Sequence, residues 1–277
     1  MRTKILLTII FLSTKLIGQK YYDFGKQIEN LEQYNSIDIN FIDPEDKITL
    51  FGTLIFPKTE YSKIAVITPG SGMDTRNSHY VIAEELLKNG IAVYRYDDRG
   101  VGKSEGTADF SVDQIGRDLY YAFENIRKID TLSRKEIGII GHSLGGIATI
   151  ETYQKELNID FLILMSTPIE KFSSFEYNQY RSKNNKKIKM SNKDVFQQSN
   201  IPILIISGTN DSFFNSIKTS NLFLTLNKKN IQTKNMVGLN HFLRPGNDDW
   251  RKTKEYKSLY EIDKTALNEI INWINQI

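Results

Sequence analysis

The feature that most constrains the fold is a series of short, mostly apolar runs that alternate with longer amphipathic segments. Runs of this length without a polar face are typical of strands buried on both sides of a sheet. The segments between them carry apolar residues three and four positions apart, which is the spacing of a helix packed on one face. The alternation predicts a mostly parallel sheet with helices on both faces. The runs are residues 64–68, 91–96, 137–140, 161–165 and 203–206.

Helix-capping residues mark where some of these helices begin and end. Ser78 is a candidate N-cap for a helix that stops at residues 89–90, Asn-Gly. Ser111 and Gln114 form a capping-box pattern ahead of a second helix. A closing helix is predicted within residues 262–277, where apolar residues again share one face.

The chain ahead of the first apolar run follows the alternating period of a strand. Residues 36–42 and 48–56 alternate, or nearly so, between apolar and polar side chains, and a turn-forming Asp-Pro-Glu-Asp at residues 43–46 separates them. This pattern predicts an antiparallel hairpin. At 277 residues and 40% hydrophobic content the chain can bury a large core, and it has no internal repeat or long linker. We therefore expect a single α/β domain over residues 19–277.

One segment interrupts the alternation of strands and helices. Residues 169–200 lie between the fourth and fifth apolar runs and contain seven basic residues against three acidic ones. Such a composition is typical of a solvated surface segment. Its position beyond the carboxyl end of a strand is also where a short lid insert would cover a ligand site. Both interpretations remain open at this point.

The first 18 residues have the pattern of a secretory signal peptide. Arg2 and Lys4 precede an apolar stretch at residues 5–12, and Gly18 supplies a small residue where cleavage would occur. The stretch is too short to span a bilayer comfortably, it has no polar face to suit an amphipathic helix, and no cysteine is present for a lipid anchor. We expect a secreted or periplasmic protein that starts near Gln19 and has no stable membrane anchor.

Composition removes several classes of function. Without cysteine, the chain has no thiol nucleophile, iron–sulfur cluster or Cys-ligated zinc. Its net charge of +3 is accounted for by Arg2, Lys4 and Lys15, and the rest carries 33 basic and 33 acidic residues. This balance does not support a nucleic-acid partner. The three histidines are dispersed along the sequence, so we expect no metal and no organic cofactor.

The strongest chemical signal is the sequence Gly-His-Ser-Leu-Gly at residues 141–145, directly after the third apolar run. A strand, a sharp turn and a helix in this order form a nucleophile elbow, in which the turn exposes the serine and flanking glycines leave room for it. We therefore predict that Ser143 is a nucleophile.

A second match to the same pattern surrounds Ser104, but it does not follow a strand directly and begins no helix. We do not expect Ser104 to be a nucleophile. The stretch also fails as a phosphate-binding loop, because Asp97 stands where the first glycine is required. Asp98 and Arg99 are expected to form an ion pair that braces this loop.

A nucleophilic serine needs a base, and the chain offers three histidines. His142 adjoins the serine in sequence, and His79 precedes it. In the order serine, acid, histidine, only His241 lies far enough downstream. Asp211 follows the fifth apolar run and is the candidate acid, although aspartate is also common there as a turn residue. We predict a triad of Ser143, Asp211 and His241.

Five stretches of the sequence resemble α/β-hydrolases of the bacterial esterase and serine-aminopeptidase-like (S33-type) group. The resemblance implies the α/β-hydrolase fold, the roles of nucleophile, acid and base for the same triad, and no cofactor or metal. It also implies an oxyanion hole formed by the backbone N–H groups of Ser71 and Leu144. The stretches are residues 68–77, 96–107, 137–146, 206–213 and 238–242.

The implied reaction is acyl transfer to water through an acyl-enzyme. We expect a carboxylesterase for short-chain acyl esters, because the polar residues of 169–200 offer no continuous apolar face for a long chain. The same triad would also serve an amidase, an aminopeptidase or an acyltransferase, and a non-catalytic binding module is a further alternative. The expected partner is a small ester or amide, and the sequence does not indicate an oligomeric state.

The signal-peptide pattern predicts cleavage on export. Intact-mass measurement of secreted protein is expected to give a chain that starts at or within a few residues of Gln19. A secreted product that retains residues 1–18 would contradict this prediction.

Overall fold

The architecture is built on one large sheet. The structure, a computed structural model, describes residues 28–153, 157–169, 173–174, 177–178, 192–253 and 258–277. Within these ranges eight strands form the sheet, in the order β1-β4-β6-β5-β7-β8-β11-β12. The strands are β1 (Tyr34–Asp38), β4 (Gly52–Pro57), β5 (Lys63–Thr68), β6 (Ala92–Tyr96), β7 (Glu136–His142), β8 (Leu162–Met165), β11 (Ile203–Gly208) and β12 (Ile231–Met236).

The six strands from β6 to β12 in this order run parallel, and β1 and β4 add an antiparallel edge. The five apolar runs correspond to β5, β6, β7, β8 and β11, so the predicted mostly parallel sheet is confirmed. Sequence periodicity did not identify β12, because this edge strand, Ile-Gln-Thr-Lys-Asn-Met, has no fully buried residue.

The predicted N-terminal hairpin is present, but each of its arms is divided into two strands. The outer parts, β1 and β4, pair with each other in the main sheet. The inner parts, β2 (Phe41–Asp43) and β3 (Ile48–Leu50), form a separate two-stranded ribbon. Two further short strands, β9 (Ser173–Ser174) and β10 (Tyr177–Asn178), pair with each other inside the insert.

Ion pairs fix the turn of the ribbon formed by β2 and β3 against the helix at Val112–Arg127. The Arg99 guanidinium contacts Asp43 and Asp46 in the ribbon turn and Asp118 in the helix that follows. The expected ion pair between Asp98 and Arg99 is therefore wrong. Asp98 instead accepts a hydrogen bond from the backbone N–H of Asp74.

Helices cover both faces of the sheet. One face packs against α1 and α7, and the other against α2, α3, α4 and α5, each face with its own apolar core. No helix of the described ranges is long and apolar enough to cross a membrane. The helices are α1 (Tyr80–Lys88), α2 (Val112–Arg127), α3 (Leu144–Tyr153), α4 (Asn192–Gln198), α5 (Ser216–Leu224), α6 (Trp250–Thr253) and α7 (Lys264–Gln276).

The two predicted caps have different outcomes. Ser111 caps α2, and its hydroxyl accepts the backbone N–H of Gln114 at 3.3 Å. Ser78 does not cap α1, because the residue before the helix is His79, which has a left-handed backbone with φ 52°. The Ser78 hydroxyl instead lies 3.2 Å from Nδ1 of the His79 ring, so it is engaged by a side chain rather than by the helix.

Two predicted segments lie wholly or mostly outside the described residues. These are the signal peptide at 1–18 and the greater part of the insert at 169–200. The start at Gln19 and the lid therefore stay predictions from the sequence.

Candidate active site

Ser143 occupies the sharp turn between β7 and α3. Its backbone is left-handed, with φ 53°, and its N–H donates to the carbonyl of Met165 at the end of the neighbouring strand β8, at 2.9 Å. A non-glycine residue in this region of φ/ψ is strained. This turn exposes the serine. Ser143 is only half-buried, while His142 before the turn and Gly145 after it are buried.

The glycines of the elbow are required by close approach of the backbone. A Cβ atom at Gly145 would lie 2.1 Å from the carbonyl oxygen of Pro69, and one at Gly141 would lie 2.7 Å from the Cα atom of Gly146. Both obstacles are main-chain atoms, which cannot rotate away. The first turn of α3 is therefore packed directly on the loop that follows β5.

The structure brings the three predicted triad residues together. His241 Nε2 lies 2.9 Å from the Ser143 Oγ, and His241 Nδ1 lies 2.7 Å from Asp211 Oδ2. Because a carboxylate only accepts, Nδ1 carries the imidazole proton and Nε2 is left to accept the serine hydroxyl. Asp211 and His241 reach Ser143 from the loops that follow β11 and β12, at the carboxyl edge of the parallel sheet.

Asp211 and His241 are held in a buried setting. The side chains of Asp211 and His241 have exposed fractions of 0% and 4%. The second carboxylate oxygen of Asp211 accepts the backbone N–H of Phe213 at 2.8 Å. The Phe213 ring stacks on the imidazole of His241, with centroids 4.1 Å apart. Phe213 therefore covers one face of the His241 imidazole, a contact that no pattern in the sequence indicated.

The predicted oxyanion groups lie on the two segments that flank the nucleophile. A Cβ atom at Gly70 would be 3.0 Å from Cβ of Ser143, so the loop containing Ser71 passes beside the serine. Leu144 is the first residue of α3, where backbone N–H groups have no partner within the helix. The positive end of the helix dipole also lies there. The use of these two N–H groups as an oxyanion hole stays a prediction.

Ser104 has a different environment from Ser143. Its buried hydroxyl accepts the backbone N–H of Phe51 at 2.9 Å and donates to the carbonyl of Asp97 at 2.8 Å. These bonds join the loop after β6 to the start of β4. The geometry is that of a structural brace.

Solved structures of other proteins share this architecture. An esterase of Pyrococcus furiosus is 18% identical with a TM-score of 0.65, and the match covers 91% of this chain and 94% of that one. An alpha-beta serine hydrolase homologue of Coxiella burnetii is 19% identical with a TM-score of 0.57, covering 81% and 96%. An α/β serine hydrolase without a lid from Xanthomonas campestris is 18% identical with a TM-score of 0.56, covering 86% and 94%.

This chain has the α/β-hydrolase fold. The predicted resemblance to this group is confirmed, and residues 59–188 match the model of the family described as serine aminopeptidase, S33. No curated protein sequence matches the chain.

A further aspartate connects the loops of Asp211 and His241. Asp248 accepts the backbone N–H of Ser212 at 2.8 Å with one oxygen and the backbone N–H of His241 at 3.0 Å with the other. No sequence pattern indicated this role, because Asp248 stands beside a second, exposed aspartate, Asp249, in the same Asn-Asp-Asp-Trp stretch.

All three histidines of the chain lie in one buried row. The ring centroids of His79 and His142 are 5.2 Å apart, and those of His142 and His241 are also 5.2 Å apart. Burial lowers the pKa of His142 to about 3 and also lowers the pKa of His79, so both are neutral. Nε2 of His142 lies 3.1 Å from the carbonyl oxygen of His241. Because a carbonyl only accepts, this nitrogen carries the proton.

Two adjacent acids, the buried Asp74 and the half-buried Asp98, support the loop beside Ser143. The N–H of Asp74 donates to Asp98 Oδ2 at 2.9 Å, the N–H of Asp98 donates to the carbonyl of Asp74 at 3.0 Å, and the Tyr260 hydroxyl donates to Asp74 Oδ1 at 2.7 Å. Burial raises the pKa of Asp74 to about 7, and burial together with the charge of Asp74 raises the pKa of Asp98. The pair therefore retains a proton at neutral pH.

Among the described residues, no group of His, Asp and Glu side chains could hold a metal ion.

The raised pKa of Asp74 predicts a pH-dependent loss of stability. Between about pH 4 and pH 7 the folded protein keeps a proton on Asp74 that the unfolded chain releases, so the free energy of unfolding falls as pH rises. Asp74→Asn mimics the protonated acid and removes this term. Relative to the wild type, its free energy of unfolding should rise by up to about 1.4 kcal/mol per pH unit in that interval.

Urea unfolding at pH 5, 6 and 7 measures this difference. Asp249→Asn, which changes an exposed aspartate, is the matched control and is expected to follow the wild type. If the free energies of unfolding of Asp74→Asn and the wild type change with pH in parallel, Asp74 is ionised in the folded protein over this interval and the prediction is wrong.

Proposed function

We propose that the protein is a serine hydrolase, and specifically a carboxylesterase that cleaves short-chain acyl esters. The observation that carries this proposal is the continuous chain of hydrogen bonds from Asp211 through His241 to Ser143, at 2.7 and 2.9 Å, on a strained strand-to-helix turn. A serine activated by a base, with that base oriented by an acid, is the arrangement required for nucleophilic attack on an acyl group.

The proposed acylation step moves one proton and exchanges one bond. Ser143 Oγ attacks the ester carbonyl carbon while its proton passes to Nε2 of His241, and the Asp211 carboxylate stabilises the resulting imidazolium. The tetrahedral intermediate collapses as the bond to the alcohol oxygen breaks. His241 returns the proton to that oxygen, so the alcohol leaves and an acyl-serine remains.

Deacylation repeats the same steps with water as the nucleophile. His241 takes a proton from water, the hydroxide attacks the acyl-serine, and Ser143 leaves with the proton restored while the carboxylic acid is released. In both steps the charge that develops on the carbonyl oxygen would be stabilised by the N–H groups of Ser71 and Leu144. Donors of this kind typically contribute about 3 kcal/mol each to transition-state stabilisation.

Preference for an ester over an amide is supported by the name of one similar protein, the Pyrococcus furiosus esterase, while the matching family model is described as an aminopeptidase. The chemistry of Ser143, His241 and Asp211 serves either substrate. We choose the ester because alcohols are better leaving groups than amines.

We also propose that the protein acts outside the cytoplasm. The basis is the signal-peptide pattern of residues 1–18, with its basic start and short apolar stretch.

Ser143→Ala is expected to abolish labelling by a fluorophosphonate probe and to lower ester turnover by several orders of magnitude, because it removes the nucleophile. His241→Ala should be comparably severe, and Asp211→Asn somewhat less so. Labelling followed by intact-mass measurement, together with initial rates on p-nitrophenyl acetate, tests these expectations.

Ser104→Ala is the control for this series, since it removes the serine of the second sequence match. It should still be labelled, although loss of its two buried hydrogen bonds should lower its stability. Labelling of Ser143→Ala, or loss of labelling in a folded Ser104→Ala, would show that Ser143 is not the nucleophile.

The polar composition of residues 169–200 predicts a preference for short acyl chains. Binding a long chain gains about 0.8 kcal/mol for each buried CH₂ group, and this gain requires a continuous apolar surface. The kcat/KM for p-nitrophenyl esters from acetate to palmitate should therefore be highest among the short chains. A maximum at eight carbons or longer would refute the preference while leaving the esterase activity in place.

A further inference from the structure

His241 lies in a connecting segment rather than in a helix or strand. Residues 237–248 connect β12 to the region before α6, with a bridge between Leu239 and Pro245 and turn hydrogen bonds from the N–H of Asn240 to the carbonyl of Arg244 and from the N–H of Leu243 to the carbonyl of Asn240. Among the described residues, no backbone–backbone hydrogen bond involves the N–H or C=O of His241 itself. A base on such a loop needs other contacts to hold it, because a displacement of about 1 Å can cost about 100-fold in rate.

Both peptide groups of His241 are bound by side chains. Its N–H donates to Asp248 Oδ1 at 3.0 Å, and its C=O accepts from Nε2 of His142 at 3.1 Å. The His142 side chain is buried, with an exposed residue fraction of 2%. The base is therefore held on both sides of its Cα atom.

Each of these side chains also connects the base to another member of the triad. His142 is the chain neighbour of Ser143, so its ring joins the carbonyl of His241 to the backbone of the nucleophile. Asp248 also accepts the N–H of Ser212, the chain neighbour of Asp211, at 2.8 Å.

We propose that His142 and Asp248 are positioning residues, which bind the C=O and the N–H of His241 and so set its distance from Ser143 and Asp211. The proposal rests on the proposed function, in which His241 is the base. Neither side chain touches the reacting atoms. Their effect is to restrict the loop to the conformation in which Nε2 of His241 reaches the serine hydroxyl.

The charge state of His142 suits this role. Burial lowers its pKa, and its Nδ1 atom has no hydrogen-bond partner among the described residues. The groups packed around its ring are the imidazoles of His79 and His241 and the side chains of Phe242 and Tyr260. A neutral His142 donates to the carbonyl of His241 without repelling the imidazolium that His241 becomes during acylation.

Substitutions at the two positions separate the lost hydrogen bond from lost packing. His142→Phe keeps a ring but removes the donor, and His142→Gln keeps an N–H donor on a flexible side chain. Asp248→Ala removes both acceptors, and Asp248→Asn keeps only one. Asp249→Asn is the matched control, because it makes the same change one residue along the chain at an exposed aspartate.

The measurements are kcat and KM for p-nitrophenyl acetate and the rate of fluorophosphonate labelling. We expect His142→Phe and Asp248→Ala each to lower kcat and the labelling rate about 10- to 100-fold with KM nearly unchanged. His142→Gln and Asp248→Asn should recover part of the loss, and Asp249→Asn should match the wild type. The double variant His142→Phe/Asp248→Ala should lose less than the product of the single losses, because both act on the same residue.

Each outcome decides between the proposals. A wild type that is not labelled at Ser143 overturns the proposed function. A labelled wild type with folded variants that react at the wild-type rate overturns the positioning role alone. The positioning role is also overturned if kcat falls equally in His142→Gln and His142→Phe and equally in Asp248→Asn and Asp248→Ala. Circular dichroism establishes folding, and if His142→Phe does not fold, the half-buried Asp248 series decides the question.

Discussion

The left-handed backbone of Ser143 is the constraint on which the geometry of the site depends. Residues held in this region cost of order 1–3 kcal/mol, and they persist only where the surroundings fix them. Here the surroundings are the bond to the carbonyl of Met165 and the contact of Gly145 with the loop after β5. The turn exposes Ser143 at the sheet edge and starts α3 beside it, so this serine and a helix N-terminus share one side of the site.

The interior behind this turn contains an unusual set of polar groups for a buried region. Charged groups are costly to bury, and the protein reduces that cost by keeping them neutral: His79 and His142 are unprotonated, and the pair of Asp74 and Asp98 keeps a proton. Apolar side chains would fill this space at a lower cost in desolvation. The polar groups instead fix the loops around the nucleophile, which is the usual exchange of stability for an ordered site.

Much of the fold could be predicted from the sequence because its signals are local. The strands buried on both faces are continuous apolar runs, and Ser143 and Asp211 follow two of them. His241 follows the polar edge strand β12 and was predicted from its order in the sequence. Features that depend on contacts between distant segments were either not predicted or predicted wrongly. Arg99 binds Asp43 and Asp46, more than fifty residues away, rather than its neighbour Asp98. The role of Asp248 depends on two backbone N–H groups brought together by the fold. The cap of α1 was predicted wrongly for a local reason, because His79 precedes the helix with a left-handed backbone.

The burial of every histidine also determines how the outer surface responds to acidification. The exposed fractions of His79, His142 and His241 are 0%, 2% and 3%. Histidine is the side chain whose ordinary titration falls between pH 5 and 8, and none of the three is on the surface. The histidines therefore add no charge to the outer surface as the pH falls through the mildly acidic range. A pH-dependent change carried by histidine would originate in the interior around Ser143 and not at a surface where another molecule docks.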